Sequence, residues 1–224
     1  MLFIVNVDWF FISHRLPIAL EAVSQGYEVH VATEITDSED KLQKHGFIVH
    51  PTTINRSSMG IISNAISFFQ ILKVIKEINP DLVHLVTIKP VLLGGLASRI
   101  ARVPCLVVAI SGLGYIYTSN GYKAMIRRWL IGKIYRIALH HNNSKLIFQN
   151  KNDMKIILDL LGQSQKVELI EGSGVDLNKF KYLPLNDADP IVVMAARLLV
   201  DKGVRDFIKA AASLKNKRVS ARFV

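Results

Sequence analysis

Residues 61–85, IISNAISFFQILKVIKEINPDLVHL, contain the two patterns that decide the fold of this chain. Apolar side chains recur at positions 61, 62, 65, 66, 68, 69, 72 and 75, the spacing of one face of an α-helix over Ile61–Ile78. Pro80 disfavours a helical conformation at Asn79, so the helix is expected to end there. Leu82–Leu85 is then a short apolar run, which predicts a strand covered on both faces. A helix that leads into a buried strand is the repeating unit of an α/β protein.

The same alternation continues in both directions from this stretch. Most of the apolar runs are continuous, which is typical of a parallel sheet with helices on both faces. The predicted strands are Leu2–Val7, Glu28–Thr33, Phe47–His50, Leu82–Leu85, Cys105–Ala109, Leu146–Gln149 and Val167–Ile170. The predicted helices are Leu16–Gln25, Ser38–His45, Ile61–Ile78, Val91–Ile100, Tyr122–His140 and Asp153–Leu161. The fold class is therefore α/β, with a doubly wound parallel sheet.

A change of pattern near residue 183 predicts a second domain. Tyr182–Pro190 (YLPLNDADP) has two prolines and little periodicity, as a linker does. Ile191–Ala195 then restarts the strand pattern, and Asp201 is placed to cap a helix. One face of that helix carries Val204, Phe207, Ile208, Ala211 and Leu214, and a further strand begins in Val219–Val224.

We therefore expect an N-terminal domain over residues 1–183, a linker over 184–190, and the start of a similar second domain over 191–224. One strand, one helix and a strand stub cannot bury their own faces. The sequence is accordingly interpreted as truncated within the second domain.

Composition limits the classes of partner and location. The 28 Lys and Arg residues exceed the 18 Asp and Glu residues by ten, which favours an anionic partner: nucleic acid, an anionic membrane surface or a phosphorylated small molecule. A single cysteine excludes an internal disulfide and argues against a metal cluster. The N-terminus lacks the features of a signal peptide, and no apolar run is long enough to span a membrane. We expect a cytoplasmic protein without a metal site.

Ligands of parallel α/β sheets bind beyond the carboxyl ends of the strands. The candidate loops are therefore Asp8–His14, His84–Pro90, Ile110–Thr118 and Glu171–Asp176. The first loop has no glycine and is not a dinucleotide fingerprint, so its three aromatic residues either line a cleft or pack beneath the loop. Ser13 is placed to cap the next helix, with His14 and Arg15 in its first turn. Cations there oppose the helix dipole, which suggests an anionic ligand or a carboxylate partner.

Five short segments, in this order on the predicted strand ends, resemble the retaining glycosyltransferases of the GT-B fold, family 4. The segments are SHRLP (13–17), NPDLVH (79–84), SGLG (111–114), GSGVD (172–176) with Phe180, and AARLLVDKG (195–203). That family builds bacterial surface polysaccharides and lipid-linked oligosaccharides, and the resemblance covers essentially the whole chain. SHRLP together with SGLGYIYT (111–118) is similar to enzymes that transfer an N-acetylhexosamine to an acceptor on undecaprenyl diphosphate.

The resemblance implies two Rossmann-like domains, the first for the acceptor and the second for a UDP-linked sugar donor. It also implies transfer with retention of configuration and neither metal nor cofactor. It implies that Arg197 and Lys202 bind the donor diphosphate, whose negative charge grows as the glycosidic bond breaks. The alternative for this pair is solvated charge around a capping box. The family's glutamates, spaced E-x7-E, lie later in the second domain. Residues 1–224 alone are therefore not expected to catalyse sugar transfer.

Acceptor-side roles follow from the same resemblance. The expected acceptor or cleft residues are Ser13, His14, Arg15, Lys89, Gly112 and Gly114, with His14 as the candidate catalytic residue. The two glycines free the backbone to approach a ligand, although the same spacing is common in ordinary turns. His84 either contributes to the site or is a core histidine. Many relatives carry a histidine near this turn that contacts the transferred sugar; Ser111 and Gly112 stand there instead, so that role is not carried over. Gly172, Gly174 and Asp176 are expected to shape the hinge and the lip of the cleft.

The helix predicted over Tyr122–His140 has five basic residues and no acidic one. The helix is expected to carry Arg128, Trp129, Lys133 and Arg136 on a basic face, and Ile126, Leu130, Ile134, Ile137 and Ala138 on an apolar face. A basic face with a tryptophan fits docking on anionic lipid headgroups, and the alternative is a solvated face over the core. The protein is thus expected to be cytoplasmic and, in the first of these interpretations, peripheral on the inner face of the cytoplasmic membrane.

Three other functions fit parts of the pattern. A sugar-nucleotide epimerase of the same architecture would act on a soluble UDP-sugar and show no lipid dependence. A non-catalytic acceptor-binding or membrane subunit would need a donor-binding half on another polypeptide. Nucleic-acid binding is favoured only by charge, because the sequence has no recognised module for it.

Overall fold

The computed structural model describes residues 1–54, 60–113, 122–162, 166–184, 190–196, 198, 200–217 and 219–224. For five residues within helices or turns, only the backbone is described. They are Lys123, Ala124, Arg127, Arg128 and Asp201.

Seven parallel strands form one sheet in the order β3-β2-β1-β4-β5-β6-β7. They are β1 (Leu2–Val7), β2 (His30–Glu34), β3 (Ile48–Pro51), β4 (Leu82–Val86), β5 (Cys105–Ile110), β6 (Ser144–Phe148) and β7 (Lys166–Leu169). The strand order reverses beside β1, whose neighbours are β2 and β4. This topological switch point is where doubly wound sheets open a crevice for ligands. Every predicted strand is present, which confirms the α/β class.

Seven α-helices accompany this sheet among the described residues. They are α1 (Asp8–His14), α2 (Leu16–Ser24), α3 (Glu39–Lys44), α4 (Ile61–Ile78), α5 (Gly95–Ile100), α6 (Tyr122–Leu139) and α7 (Lys151–Leu161). The bounds of α4 are those that the sequence predicts. The helix predicted over Val91–Ile100 instead begins as a π-helical turn, Pro90–Gly94, that continues into α5.

The prediction of a loop over Asp8–His14 is wrong, because these residues form α1. The helix that the sequence predicts to begin at Leu16 is a second one, α2, and Arg15 joins them with a φ of −127°. Pro17 lies in the first turn of α2. Because proline has no N–H to donate to the carbonyl of Ser13, it breaks the hydrogen-bond ladder between the two helices.

The two faces of the sheet bury two separate hydrophobic cores. One core packs α4, α5, α6 and α7 on the sheet, and its centre includes Ile71, Leu85, Leu106 and Phe148. The other packs α1, α2 and α3 on the opposite face around Phe3, Phe11 and Leu42. All six residues of β1 are buried, which agrees with a sequence that does not alternate between apolar and polar residues.

The chain divides into two compact units, Met1–Gly174 and Val175–Val224. The second contains a parallel pair, β8 (Ile191–Val192) and β9 (Arg222–Phe223), a 3-10 turn at Val200–Lys202, and α8 (Val204–Asn216). The predicted strand Ile191–Ala195 is thus shorter than expected. The helix starts at Val204 after Gly203, whose φ is +73°, so Asp201 is not its N-terminal cap.

Among the described residues, no helix combines the length and the apolar character needed to cross a bilayer.

Candidate functional site

The centre of the carboxyl edge is a contact between β1 and β4 at the switch point. Asn6, near the end of β1, is buried, and Thr87 follows β4 directly. The Thr87 hydroxyl donates to Oδ1 of Asn6 over 3.1 Å. Thr87 has a φ of +73°, a left-handed conformation that a β-branched residue rarely adopts. Strained residues of this kind cluster at functional sites, so this contact is a candidate part of the site.

The backbone after Thr87 turns immediately into a helical segment. The N–H of Val91 donates to the carbonyl of Thr87 over 3.0 Å, and Lys89 lies within this turn. Partial burial lowers the pKa of Lys89, and the carboxylate of Glu34, at the end of β2, partly offsets that effect. The structure therefore places a half-buried ammonium beside the switch point.

Asp8 connects the first strand to the neighbouring loop. Its buried carboxylate accepts hydrogen bonds from the backbone N–H groups of Trp9, Thr36, Asp37 and Ser38 and from the Thr36 hydroxyl. Burial by itself raises the pKa of Asp8, but these donors outweigh it and hold the pKa below its usual value. Asp8 thus fixes the loop after β2 at the same edge.

The SHRLP residues are arranged differently from the sequence prediction. Ser13 does not cap a helix: it lies in the last turn of α1, where its hydroxyl donates to the carbonyl of Phe10 over 3.2 Å. The ring of His14 stacks on the ring of Phe10 at 4.1 Å and contacts the Ser13 hydroxyl at 2.6 Å. Because His14 ends α1, a positive charge there would suit the helix dipole rather than oppose it.

Arg15 is buried between α1 and α2. Its Nη1 donates to the carbonyl of His14 over 2.9 Å, while its Nε has no hydrogen-bond partner among the described residues. The neighbouring His84 is also buried, and its Nε2 likewise lacks a partner within the described part of the chain. Burial, reinforced by the charge of Arg15, lowers the pKa of His84 to about 3. His84 is therefore a neutral core histidine, and it packs against Phe3 with a ring separation of 5.1 Å.

The aromatic residues that follow β1 have different surroundings. Phe11 is buried in the core, with its ring 5.4 Å from that of Phe3. Trp9, on the same helix, is half exposed. Phe11 therefore packs beneath the chain, which is one of the two predicted arrangements, whereas Trp9 is exposed.

The glycine turns lie at the ends of β5 and β7. Gly112 has a φ of +133°, and a Cβ there would meet nothing within 4 Å, so the backbone at this position is open. Gly114 lies outside the described residues. Gly172 and Gly174 have left-handed φ angles of +78° and +74°. Asp176 accepts from the backbone N–H of Asn178 over 2.9 Å, which makes a local turn.

The cations expected to bind the donor lie in the second unit. Lys202 is exposed and ends the 3-10 turn before α8. Arg197 lies outside the described residues.

The separate basic face predicted for α6 is wrong. Trp129 and Lys133 lie beside the apolar arc on the exposed side of the helix, since at about 100° per residue Lys133 is about 20° from Ile126. Trp129 is 62% exposed, and the Lys133 ammonium lies 5.3 Å from the centre of its ring. Arg136 instead donates through Nε and Nη2 to the carbonyl of Leu160, so it joins α6 to the end of α7. The side chain of Arg128 lies outside the described residues. The apolar arc is not the buried one: of its five members only Ala138 is buried, and Tyr135 and Leu139 face the core in their place.

Sequence reasoning missed Asn6, Asp8 and Thr87 as parts of this edge. A polar residue inside the apolar run of β1 was a usable signal for Asn6, and Asp8 directly after the run was another. Nothing in the sequence marks the left-handed backbone of Thr87. Among the described residues, no three His, Cys, Asp or Glu side chains are grouped to hold a metal ion.

Comparison with solved structures identifies the fold class. Sucrose-phosphate synthase from Thermosynechococcus elongatus aligns over 99% of this chain and 60% of its own, with a TM-score of 0.68 and 14% identity. A UDP-N-acetylglucosamine 2-epimerase structure from Listeria monocytogenes covers 99% of this chain and 61% of its own, with a TM-score of 0.64 and 14% identity. The fold is the GT-B type of α/β protein.

Sequence comparison identifies the family. The model described as "Glycosyl transferase 4-like" matches residues 1–150, and the chain belongs to this family. It is 29% identical, over 91% of its length, to the N,N'-diacetylbacillosaminyl-diphospho-undecaprenol alpha-1,3-N-acetylgalactosaminyltransferase of Campylobacter jejuni, 57% of which is covered. It is 28% identical, over 69% of its length, to the UDP-Gal:alpha-D-GlcNAc-diphosphoundecaprenol alpha-1,3-galactosyltransferase of Escherichia coli, 41% of which is covered. The chain thus spans about half the length of these curated relatives.

Proposed function

We propose that the protein carrying this chain transfers a sugar, an N-acetylhexosamine, from a UDP-linked donor to a lipid-linked or polysaccharide acceptor with retention of configuration. The observation that carries the proposal is the carboxyl edge at the switch point of a glycosyl transferase 4-like chain. Asn6, Thr87 and Lys89 lie there at the ends of β1 and β4, and Gly112, whose backbone is open, follows the neighbouring strand β5. The names of the two curated relatives, which both specify diphospho-undecaprenol acceptors, support an acceptor of that class.

In this proposal each domain binds a different substrate. Residues 1–183 hold the acceptor, residues 184–190 act as the linker, and residues 191–224 begin the donor side. The half-buried ammonium of Lys89 has the charge needed to attract an acceptor diphosphate. His14 is the candidate catalytic residue of the acceptor side, although its stacking on Phe10 favours a positioning role.

On the donor side, Arg197 and Lys202 would bind the diphosphate of the leaving nucleotide. Arginine can grip phosphate oxygens in a bidentate manner, while lysine supplies a point charge. Both would stabilise the charge that develops as the glycosidic bond breaks, so the main contributions to catalysis are positioning and electrostatic stabilisation. Gly172, Gly174 and Asp176 would shape the hinge and the lip of the cleft between acceptor and donor.

A lipid-linked acceptor requires the protein to reach a membrane. The exposed indole of Trp129 with the nearby Lys133 ammonium is suited to anionic headgroups, and Arg128 on the same predicted arc would add to that charge. Arg136 contributes less, because its guanidinium already binds the carbonyl of Leu160. The protein would then be cytoplasmic and peripheral on the inner membrane face.

The test is a transfer assay on the protein that carries this chain. Radiolabelled UDP-N-acetylgalactosamine, UDP-N-acetylglucosamine and UDP-galactose are incubated with a diphospho-undecaprenol-linked saccharide, and labelled lipid is extracted. Labelled lipid that depends on both substrates supports the proposal. Conversion of a UDP-sugar in the absence of the acceptor would instead identify a sugar-nucleotide epimerase, whose architecture gives the same fold.

A further inference from the structure

The outer face of the first half of α4 is apolar and exposed. Four large apolar side chains lie there: Ile61 is 88% exposed, Ile62 78%, Phe69 65% and Ile66 50%. The core side of the same helix is formed by other residues, among them Ile71 and Ile75. Scattered single apolar residues are normal on protein surfaces, but a contiguous group of this size marks an interaction site.

A second exposed apolar face lies on α6. The side chains of Ile126, Leu130, Ile134 and Ile137 are 38–52% exposed there. α4 and α6 pack against the same π-helical turn, Pro90–Gly94, on the same face of the sheet. Both helices therefore cover the same face of the sheet.

Both helices start at the edge of the sheet that carries the candidate site. α4 follows β3 and leads into β4, and α6 follows β5 and leads into β6. Because all of these strands are parallel, each helix runs from the carboxyl edge of the sheet towards its amino edge. The exposed first half of α4 is thus near the edge where Asn6 and Thr87 meet.

Further along α4, the exposed face becomes basic. Lys73 and Lys76 follow Phe69 at helical spacing and line, with Phe69, Leu72 and Glu77, a shallow groove of about 360 Å³. Glu77 lies 3.7 Å from the Lys73 ammonium, so the groove carries two ammonium groups and one carboxylate. An apolar segment followed by lysines matches a lipid bilayer, in which acyl chains accept the apolar side chains and anionic headgroups attract the ammonium groups.

We propose that the outer face of α4 inserts into an anionic lipid bilayer, with Ile61, Ile62, Ile66 and Phe69 entering the acyl boundary and Lys73 and Lys76 contacting the headgroups. This insertion brings the carboxyl edge of the sheet to the membrane, where a lipid-anchored substrate is accessible. It adds an apolar anchor to the electrostatic contact proposed for Trp129 and Lys133. It deepens the proposed function by fixing which side of the chain faces the lipid, but it does not depend on sugar transfer.

The test is sedimentation of the protein that carries this chain with vesicles of phosphatidylglycerol and phosphatidylethanolamine, which contain neither undecaprenyl lipid nor sugar nucleotide. The Ile62→Glu/Phe69→Glu variant should bind at least about ten-fold more weakly, because burial of each large apolar side chain is worth about a factor of ten or more. The matched control is Ile18→Glu/Val23→Glu on α2, on the opposite face of the sheet, where the side chains are 45% and 41% exposed. The control variant should bind at close to the level of the unaltered chain. Binding that remains at high salt should be the part that the α4 variant loses, since apolar insertion is not screened.

Three results would overturn the proposal: no binding of the unaltered chain to vesicles, equal binding by the α4 variant, or an equal loss in the α2 control. Light scattering tests a second copy of the chain as the alternative partner. If the unaltered protein is dimeric, and the α4 variant is monomeric but binds vesicles as before, the exposed face of α4 is a dimer interface instead. Circular dichroism of both variants checks that the fold is kept. Because no sugar is transferred in this experiment, its outcome is separate from that of the transfer assay.

Discussion

The hydroxyl of Thr87 donates to Oδ1 of Asn6 across 3.1 Å, and this bond joins residues 81 positions apart at the switch point of the sheet. Thr87 holds a left-handed backbone conformation while it makes the bond. Such a conformation costs about 1–3 kcal/mol in a non-glycine residue, so the surrounding structure must stabilise it.

Substitutions of Thr87 should separate the strain from the hydrogen bond. Thr87→Val keeps a β-branched residue at positive φ and leaves Oδ1 of buried Asn6 without this donor, whereas Thr87→Gly loses the bond but relieves the strain. We expect Thr87→Val to lower the free energy of unfolding by about 1–2 kcal/mol more than Thr87→Gly. Urea denaturation of both variants measures the difference, and equal losses would show that the backbone at Thr87 is not strained.

Asp8→Asn should destabilise the chain by about 2–3 kcal/mol, because the amide cannot accept all the bonds made by the buried carboxylate. The pKa of Asp8 is lowered in the folded state, so its contribution is present above the unfolded pKa and is lost as the pH falls through the folded pKa. The gap between Asp8→Asn and the unaltered chain should therefore close in acid. Asp37→Asn, an exposed neighbour, is the control and should change little. A gap that stays constant down to acid pH would contradict this role of the carboxylate.

His84→Leu should make stability less dependent on pH. The folded pKa of His84 is about 3, below the unfolded value of about 6.5, so the unfolded state binds the proton and stability falls as the pH drops below the unfolded pKa. Between about pH 7.5 and about pH 5, the unaltered chain should lose about 2 kcal/mol more than His84→Leu. At neutral pH the variant should be about as stable as the unaltered chain, because His84 Nε2 has no hydrogen-bond partner in the described part of the chain. If the free energy of unfolding of the two proteins changes with pH in the same way, the pKa of His84 is not lowered by folding.

Gly95→Ala should destabilise the chain by about 1–3 kcal/mol, because the new Cβ would lie 2.7 Å from the carbonyl oxygen of Ala138 on α6. The matched control is Gly132→Ala within α6, where the new Cβ meets only the flexible tip of Leu160 at 2.9 Å. The control should cost less, since alanine also favours the helix over glycine. Thermal unfolding of both variants ranks them, and a reversed order would mean that α5 and α6 can move apart freely.

Lys202→Gln should weaken binding of UDP by about ten-fold in the protein that carries this chain, since a charge-assisted bond to phosphate is worth about 1.5–3 kcal/mol. Lys209→Gln, an exposed lysine on α8, is the control and should leave the affinity unchanged. Calorimetric titration with UDP measures both. Equal affinities for all three proteins would remove Lys202 from the donor site.

Much of the fold could be predicted from the local sequence pattern. Elements in which apolar and polar residues do not follow one clear spacing could not. The bounds of α4 were predictable because eight apolar positions repeat at one spacing and a proline closes the helix. Asp8–His14 was misassigned because an aspartate and three aromatic residues after a strand resemble a loop, while the burial of Phe11 that makes it a helix is a tertiary contact. On α6 the pattern identified the helix but not its buried side, because Ile, Leu and basic residues occupy most of the surface.

The sequence by itself determined the α/β class, the order of the strands and of the helices other than α1, and the glycosyl transferase 4-like motifs, because each depends on residues close together in the chain. Only the tertiary structure decided that Asn6 bonds to Thr87, that Asp8 holds the loop at Thr36, and that Arg15 and His84 are buried together. It also decided that apolar side chains on α4 and α6 are exposed in the described part of the chain. These are contacts, or missing contacts, between residues far apart in sequence, and their energies depend on burial and geometry that no local pattern specifies.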